Sequence, residues 1–237
     1  MVGFKFLDET ASISNEVDEK LVHDLFKDKT CAVVGSSGAL LKRSDGNLID
    51  SHDIVIRCNN APTLGYEDHV GSKTDGRVVN CHMCWALESS DQSYLKHLSD
   101  RMPAFDPKFL YSLRNEFIIP KDQIHPGNFQ KQQDLLEKNG CKVMYMNPVF
   151  YGASSSLLGD LATNGFAAIM FAAKHFKHVS CFGFTFGREW GKDWNNFHYY
   201  QEIKMMGEEE SCHNGSKEEE IVLRFDQNRP NFFLQRY

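Results

Sequence analysis

The feature that most constrains the fold is a strand-like apolar run, Cys31–Gly35, that leads through small residues into a short helix. Gly35 and Gly38 let the backbone approach a ligand, and Ser36 and Ser37 supply hydroxyl groups. The N-terminus of the following helix offers N–H groups to an anion. The run therefore predicts a nucleotide pocket, although such a turn also serves simply to cap a helix. The run lacks the Gly-x-Gly-x-x-Gly spacing of a dinucleotide site, which disfavours a dinucleotide ligand. It also lacks the lysine of a P-loop, which disfavours ATP.

The rest of the chain continues this alternation of short β-branched runs with amphipathic stretches of helix length. Alternation of this kind predicts an α/β class, with a Rossmann-like, mostly parallel central sheet and helices on both faces. The predicted strands are Cys31–Gly35, Ile54–Cys58, Val78–Cys81, Phe109–Ser112, Lys142–Met146 and Val179–Gly183. The predicted helices are Gly38–Arg43, Ser93–Asp100, Asn128–Asn139, Asn164–Phe176, Tyr200–Glu210 and Ser216–Phe225.

Length and composition predict one domain. A chain of 237 residues that is 41% hydrophobic can bury one substantial core, and no repeat or low-complexity linker divides it. We assign residues 1–237 to a single catalytic domain, with 1–29 as an N-terminal extension. Residues 185–197 contain Gly, Asp, Asn and two Trp without helical or strand periodicity, which favours a mobile lid over a pocket.

Charge and cysteine content exclude several classes. The net charge is -6 and the basic residues are scattered, so a nucleic-acid partner is disfavoured. No apolar run reaches the length of about 18 residues that a membrane span needs. The pair Cys81 and Cys84 has no second pair at ligand spacing, which disfavours zinc. Seven cysteines, several in apolar runs, fit a reducing compartment.

A long motif follows the first turn. Residues 49–75 read IDSHDIVIRCNNAPTLGYEDHVGSKTD. Joined to the Gly-Ser turn, this stretch resembles sialyl motif L of the eukaryotic sialyltransferases, glycosyltransferase family 29. The resemblance implies a site for a CMP-sugar donor, with Ser37 and Asn59 beside the nucleotide.

A second motif lies in the C-terminal half. Ala162–Phe166, followed by an apolar helix and Val179–Phe184, resembles sialyl motif S, although family members usually carry Ser-Thr-Gly at residues 163–165. The residues alone also fit a helix N-cap followed by a buried strand. The resemblance implies that Thr163 and Asn164 bind the carboxylate or phosphate end of the donor and that Gly183 lies near the ribose. The donor-binding residues implied in all are Gly35, Ser36, Ser37, Asn59, Tyr151, Thr163, Asn164, Gly165, Gly183 and Phe184.

Two short motifs follow in family order. The run beginning His198-Tyr199 is similar to the third motif, and His213 with Glu218 matches the His-x4-Glu of the fourth. The resemblance implies that His213 is the general base. His198, either protonated or donating an N–H, then stabilises the departing phosphate. Glu218 and Tyr199 are expected to support these groups.

The resemblance implies an inverting transfer of sialic acid from CMP-sialic acid to a glycan hydroxyl. CMP leaves with one phosphate, which His, Tyr and N–H donors can stabilise without a divalent ion. We therefore expect no metal and no cofactor. Two alternatives stay open: a transferase that uses CMP-Kdo or another CMP-activated 2-keto sugar acid, and a non-catalytic CMP-binding relative. A methyltransferase or oxidoreductase would leave the long motif unexplained.

Three departures from the family pattern stand out. The usual Asn-Ser-Gly-Asn is Ser36-Ser37-Gly38-Ala39, which removes two amide side chains. The family disulfide partner of Cys31 corresponds to Phe176, and a glycosylation sequon begins at Asn214, beside the proposed base. The first departure bears on the affinity for the donor or on its identity. The missing disulfide partner and the sequon, with no membrane span in the sequence, favour a cytoplasmic location for the chain as written, or the Golgi lumen if an N-terminal anchor has been removed.

Overall fold

The computed structural model describes residues 19–80, 116–120, 134–138, 140–144, 157–186, 198–200 and 213–237. The strands are β1 (Thr30–Val34), β2 (Ile54–Cys58), β3 (Gly76–Val79), β4 (Phe117–Pro120), β5 (Lys142–Val143), β6 (His178–Phe182) and β7 (Phe232–Leu234). The helices are α1 (Glu19–Phe26), a 3₁₀ helix (Gly38–Lys42), α2 (Gly46–Asp50), α3 (Glu67–Val70), α4 (134–138), α5 (Asn164–His175) and α6 (Gly215–Asn228).

These strands form one sheet in the order β5-β4-β3-β2-β1-β6-β7, and every neighbouring pair is parallel. Helices cover both faces. One core contains Cys31 and Val33 and packs under α1, α5 and α6, while the other contains Ala32 and Val34 and packs under the 3₁₀ helix, α2 and α3. Successive strand residues point to opposite faces, so a strand buried on both sides is apolar throughout. The predicted α/β class is confirmed.

Strand order places the first predicted pocket. β1 pairs with β2 on one side and β6 on the other, so the chain builds outward in both directions from β1. In such sheets ligands bind beyond the carboxyl ends of the strands where the order reverses. The Gly35–Ser37 turn lies directly after β1 at this point.

Predicted and observed boundaries agree closely for several elements. β2 has the predicted limits, and α5 begins at the predicted Asn164. β3 begins at Gly76 rather than Val78, because Gly76 already pairs with Ile56 and Phe117, and a Cβ atom on it would lie 2.1 Å from the Phe117 ring. The predicted strand Phe109–Ser112 and helix Ser93–Asp100 lie outside the described residues, as does Tyr200–Glu210 apart from Tyr200, which lies in a turn.

The segment assigned as an N-terminal extension contains α1. Val22 and Phe26 lie one helical turn apart, and both are buried in the core. The Phe26 ring stacks on that of Phe176, with 4.5 Å between centroids. Residues 19–26 therefore pack into the core, and the helix that they form was not predicted from the sequence.

The described cysteines are buried thiols. Cys31, Cys58, Cys141 and Cys181 are all buried, and burial raises the pKa of Cys31 and Cys181 well above the usual value. Phe176, where the family's second half-cystine is expected, packs against Phe26 instead.

Among the helices of the described ranges, none combines the length and apolar character needed to cross a membrane.

Candidate active site

The Gly-Ser turn is held by the end of β6. The nitrogen of Ser37 donates to the carbonyl of Gly183 at 3.3 Å, and the Ser37 hydroxyl accepts from Ala39 N at 3.1 Å and from Thr185 Oγ1 at 3.3 Å. A Cβ atom on Gly35 would lie 2.4 Å from the Gly183 oxygen. The glycine is therefore required because two backbone segments touch there, a reason separate from ligand binding.

Gly165 and Phe184 pack against each other. A Cβ atom on Gly165 would lie 2.7 Å from the Phe184 ring, which also stacks with Phe186. Gly183 has a φ of +72° and donates its N–H to the Tyr237 hydroxyl at 3.1 Å. These three predicted donor-binding residues hold the edge of the site together.

Asn59 is strained and well connected. It follows β2 with a φ of +46°, a left-handed conformation that non-glycine residues adopt at a cost of about 1 kcal/mol or more. Its Oδ1 accepts from Asn80 N at 3.2 Å and from Asn164 Nδ2 at 2.6 Å. The structure thus brings together Asn59 and Asn164, which lie 105 residues apart in sequence and belong to different motifs.

Arg77 holds the backbone of the Asn59 turn. Its Nη1 donates to the carbonyls of Asn59 and Ala61 at 2.9 and 2.8 Å, and its Nε donates to Glu116 Oε2 at 2.6 Å. The Arg77 side chain is 3% exposed and that of Glu116 is 15% exposed. Sequence reasoning missed this pair, although a charged residue in the buried strand Gly76–Val79 was a signal for it.

The N-terminus of α5 is capped from two directions. Thr163 Oγ1 accepts from Phe166 N at 2.9 Å and donates to Glu218 Oε2 at 2.8 Å. Glu218 Oε1 accepts from Thr163 N at 2.7 Å. The single hydroxyl proton of Thr163 is directed to Glu218, so in this structure Thr163 caps α5 and links it to α6, and its role at the carboxylate or phosphate end of the donor stays a prediction.

His213 lies against the same turn. Its Nδ1 is 2.7 Å from the carbonyl oxygen of Leu161, two residues before the Thr163 cap. A carbonyl only accepts, so Nδ1 carries the hydrogen and the lone pair of the neutral ring is on Nε2. Asn214 caps α6 by accepting from Lys217 N at 3.1 Å, which sets His213 immediately before the helix.

His198 lies on the Gly-Ser turn. The adjacent Tyr199 N donates to Ser36 O at 2.9 Å. Burial lowers the pKa of His198 to about 4, despite a hydrogen bond with the Ser36 backbone. His198 is therefore neutral at pH 7 in this structure, and the one N–H of the neutral ring is directed to the Ser36 backbone.

Tyr199 is a packing residue. It is 2% exposed, donates its hydroxyl to Pro62 O and meets the Tyr66 ring edge-on. Burial raises its pKa. Tyr199 thus anchors the segment that carries His198 to the residues around Pro62 and Tyr66.

Several residues of the long first motif form hydrogen bonds within the motif itself. Arg57 is fully buried and donates to Thr74 Oγ1, Val70 O and Lys73 O, each within 2.9 Å. Burial lowers its pKa to about 10, so it stays charged at pH 7. The Asp50 carboxylate accepts hydrogen bonds from residues 72 and 73. The motif therefore carries its own internal scaffold.

Some predicted residues lie outside the described part of the chain. They are Tyr151 and residues 187–197 of the proposed lid. The first two residues of the lid are described: Thr185 donates to the Ser37 hydroxyl, and the Phe186 ring stacks on that of Phe184. Over the ranges that the structure describes, no group of three His, Cys, Asp or Glu side chains could hold a metal ion.

The fold and this arrangement define an α/β protein with a polar site at the carboxyl edge of a parallel sheet. The family model of glycosyltransferase family 29 (sialyltransferase) matches residues 4–229. The chain belongs to this family.

The names of individual relatives agree with this family assignment. The chain is 29% identical over 211 residues to CMP-N-acetylneuraminate-beta-galactosamide-alpha-2,3-sialyltransferase 4 of Rattus norvegicus, covering 83% of this chain and 61% of the relative. It is 30% identical over 167 residues to sialyltransferase-like protein 2 of Arabidopsis thaliana, covering 70% of this chain and 32% of that protein. The chain thus spans about three fifths or less of the length of these relatives.

A solved structure supports the fold. The crystal structure of a mammalian sialyltransferase matches with a TM-score of 0.60 and 20% sequence identity, covering 98% of this chain and 78% of the other. The likeness shows that the two chains share the arrangement of sheet and helices.

Proposed function

We propose that the protein is an inverting sialyltransferase that moves sialic acid from CMP-sialic acid to a glycan hydroxyl, without a metal ion, and uses His213 as general base. One observation carries the proposal. His213 contacts the carbonyl of Leu161, while Asn164, in the first turn of α5 that follows, contacts Asn59. The candidate base and the candidate nucleotide-binding residues are thereby joined through one short segment, residues 161–164.

The hydrogen bond to Leu161 suits His213 to act as a base. With the hydrogen on Nδ1, the basic nitrogen is Nε2, which can take the proton of an acceptor hydroxyl as the oxygen attacks the anomeric carbon. A backbone carbonyl also stabilises the imidazolium that results. A single displacement with one base inverts the anomeric configuration.

The leaving group requires donors on the opposite side. CMP departs with one phosphate, whose charge N–H groups can meet. His198 can donate to the phosphate only when it is protonated, because the one N–H of its neutral ring is already given to the Ser36 backbone, and a bound phosphate would favour the charged ring. Asn59 Nδ2 is a second candidate, because Asn59 Oδ1 is already occupied by Asn80 N and Asn164 Nδ2. No step in this scheme requires a metal ion.

The test is donor turnover by the purified chain. We would incubate it with CMP-sialic acid or CMP-Kdo, with and without a panel of glycan acceptors, and follow CMP release with and without EDTA. Acceptor-dependent CMP release from CMP-sialic acid that survives EDTA is expected, with a product of inverted anomeric configuration by NMR.

Each other outcome contradicts a stated part of the proposal. CMP release from CMP-Kdo but not from CMP-sialic acid would show that the transferred sugar is Kdo. Loss of activity in EDTA that a divalent ion restores would overturn metal independence. CMP binding without any transfer would make the protein a non-catalytic relative.

A further inference from the structure

The carboxamide of Asn164 presents an unusual atom at the N-terminus of α5. Asn164 is 8% exposed, and its Oδ1 is buried without a hydrogen-bond partner among the residues that the structure describes. A buried carbonyl oxygen left without a donor costs about 1–3 kcal/mol. A ligand that brings a donor to this atom would recover that cost.

The orientation of the Asn164 carboxamide follows from its neighbours. Asn59 accepts the backbone N–H of Asn80, so the accepting atom of Asn59 is its oxygen, Oδ1. The atom of Asn164 that lies 2.6 Å from this oxygen must then be the nitrogen, Nδ2. The Asn164 oxygen is therefore the atom left for a ligand.

The two asparagines together present complementary groups. Asn59 Oδ1 is occupied, and its Nδ2 makes no hydrogen bond within the described ranges. The pair therefore offers one donor, Asn59 Nδ2, and one acceptor, Asn164 Oδ1. An anion can accept a hydrogen bond from Asn59 Nδ2, but a carboxylate or phosphate oxygen would be repelled by Asn164 Oδ1.

We propose that Asn164 is a specificity-determining residue whose Oδ1 accepts a hydrogen bond from an O–H or N–H group of the nucleotide part of the donor. The inference rests on the proposed function and changes the role expected for this residue, which was to bind a carboxylate or phosphate. CMP carries suitable donors in its ribose hydroxyls and its cytosine amino group. The threonine usual at this position in the family could donate to an anion, whereas the Asn164 oxygen can only accept.

The experiment compares nucleotides that lack one donor each. Binding of CMP, 2′-deoxy-CMP, 3′-deoxy-CMP and UMP to the full chain would be measured by calorimetry, for the unchanged protein and for Asn164→Ala and Asn164→Thr. Asn47→Ala is the matched control, because Asn47 is an exposed helical asparagine. Asn164→Thr restores the usual family residue, so it provides a folded variant if the alanine variant fails to fold.

We expect the unchanged chain to prefer CMP about tenfold over the one analogue that lacks the donating group. Both Asn164 variants should abolish that preference and leave the affinities for CMP and this analogue within about twofold of each other, while Asn47→Ala keeps it. The analogue concerned identifies whether a ribose hydroxyl or the cytosine amino group is the donor.

Two results would overturn the inference alone: Asn164 variants that keep the preference, or variants that lose the same affinity for CMP and every analogue. Failure of the unchanged chain to bind CMP would overturn the proposed function as well. The outcomes are therefore distinguishable.

Discussion

Glu218 accepts hydrogen bonds from both the backbone nitrogen and the hydroxyl of Thr163, at 2.7 and 2.8 Å. The residues lie 55 positions apart, one in the first turn of α6 and the other at the cap of α5. Because His213 directly precedes Asn214, the N-cap of α6, this contact holds the candidate base near the segment that carries Asn164. The four motifs therefore meet through helix termini and strand ends.

Replacing Glu218 tests this tether. Glu218→Ala leaves the N–H of Thr163 without its acceptor, so we expect the free energy of unfolding to fall by about 2 kcal/mol. We also expect slower transfer, because His213 loses its fixed position. Denaturant unfolding and kcat measure the two effects. Glu220→Ala is the control, since its exposed pair with Arg224 contributes under about 0.5 kcal/mol. Equal stability of the two variants would contradict the tether.

Removal of the base should separate chemistry from binding. His213→Ala is expected to lower the rate of transfer at least 100-fold, in the range of about 10²–10⁴ for loss of general-base catalysis, with CMP affinity largely intact. His178→Ala, at the exposed start of β6, is the control and should leave the rate unchanged. Near-normal transfer by the His213 variant would exclude it as the base.

His198 makes stability depend on pH. Its pKa is about 4 in the folded protein and 6.5 ordinarily, so between these values the unfolded chain binds a proton that the folded protein does not. Stability contributed by the neutral ring is present above pH 6.5 and is lost as pH falls towards 4, by about 2 kcal/mol between pH 7.5 and 5.

Urea unfolding at pH 7.5 and 5 measures this loss. We expect His198→Gln to reduce the difference between the two pH values by about 2 kcal/mol. His178→Gln is the exposed control. An unchanged pH dependence in the His198 variant would show that its ring titrates alike in both states.

Arg77 is expected to set the conformation of Asn59. A lysine ammonium cannot donate to Glu116 and to the carbonyls of Asn59 and Ala61 at the same time, as the planar guanidinium of Arg77 does. Arg77→Lys should therefore lower the free energy of unfolding by about 2 kcal/mol and weaken CMP binding. Unfolding curves and calorimetry test both effects.

The control for Arg77→Lys is Arg224→Lys, which alters an exposed ion pair. Unchanged CMP affinity in the Arg77 variant, with the expected loss of stability, would limit Arg77 to a role in the fold.

Two short strands of the sheet were not recognisable from the sequence pattern. β4 and β7 were not predicted, and they have four and three residues. Runs this short have no distinctive period, and their pairing partners determine them: β7 is aligned with Val179–Cys181 of β6. β2 was predicted with its observed limits because it is buried on both faces and is apolar except at Arg57.

The sequence by itself determined the α/β class, the order of the four motifs and the family, because these follow from local alternation and from residue identity. Only the tertiary structure decided which motif residues form hydrogen bonds within the protein and which keep an atom that can bind a ligand. Thr163 and Asn164 are adjacent in one motif, yet the Thr163 hydroxyl is occupied by Glu218 while Asn164 Oδ1 is left without a partner among the described residues. Hydrogen-bond partners 55 and 105 residues apart depend on strand order and helix packing, which no local pattern encodes.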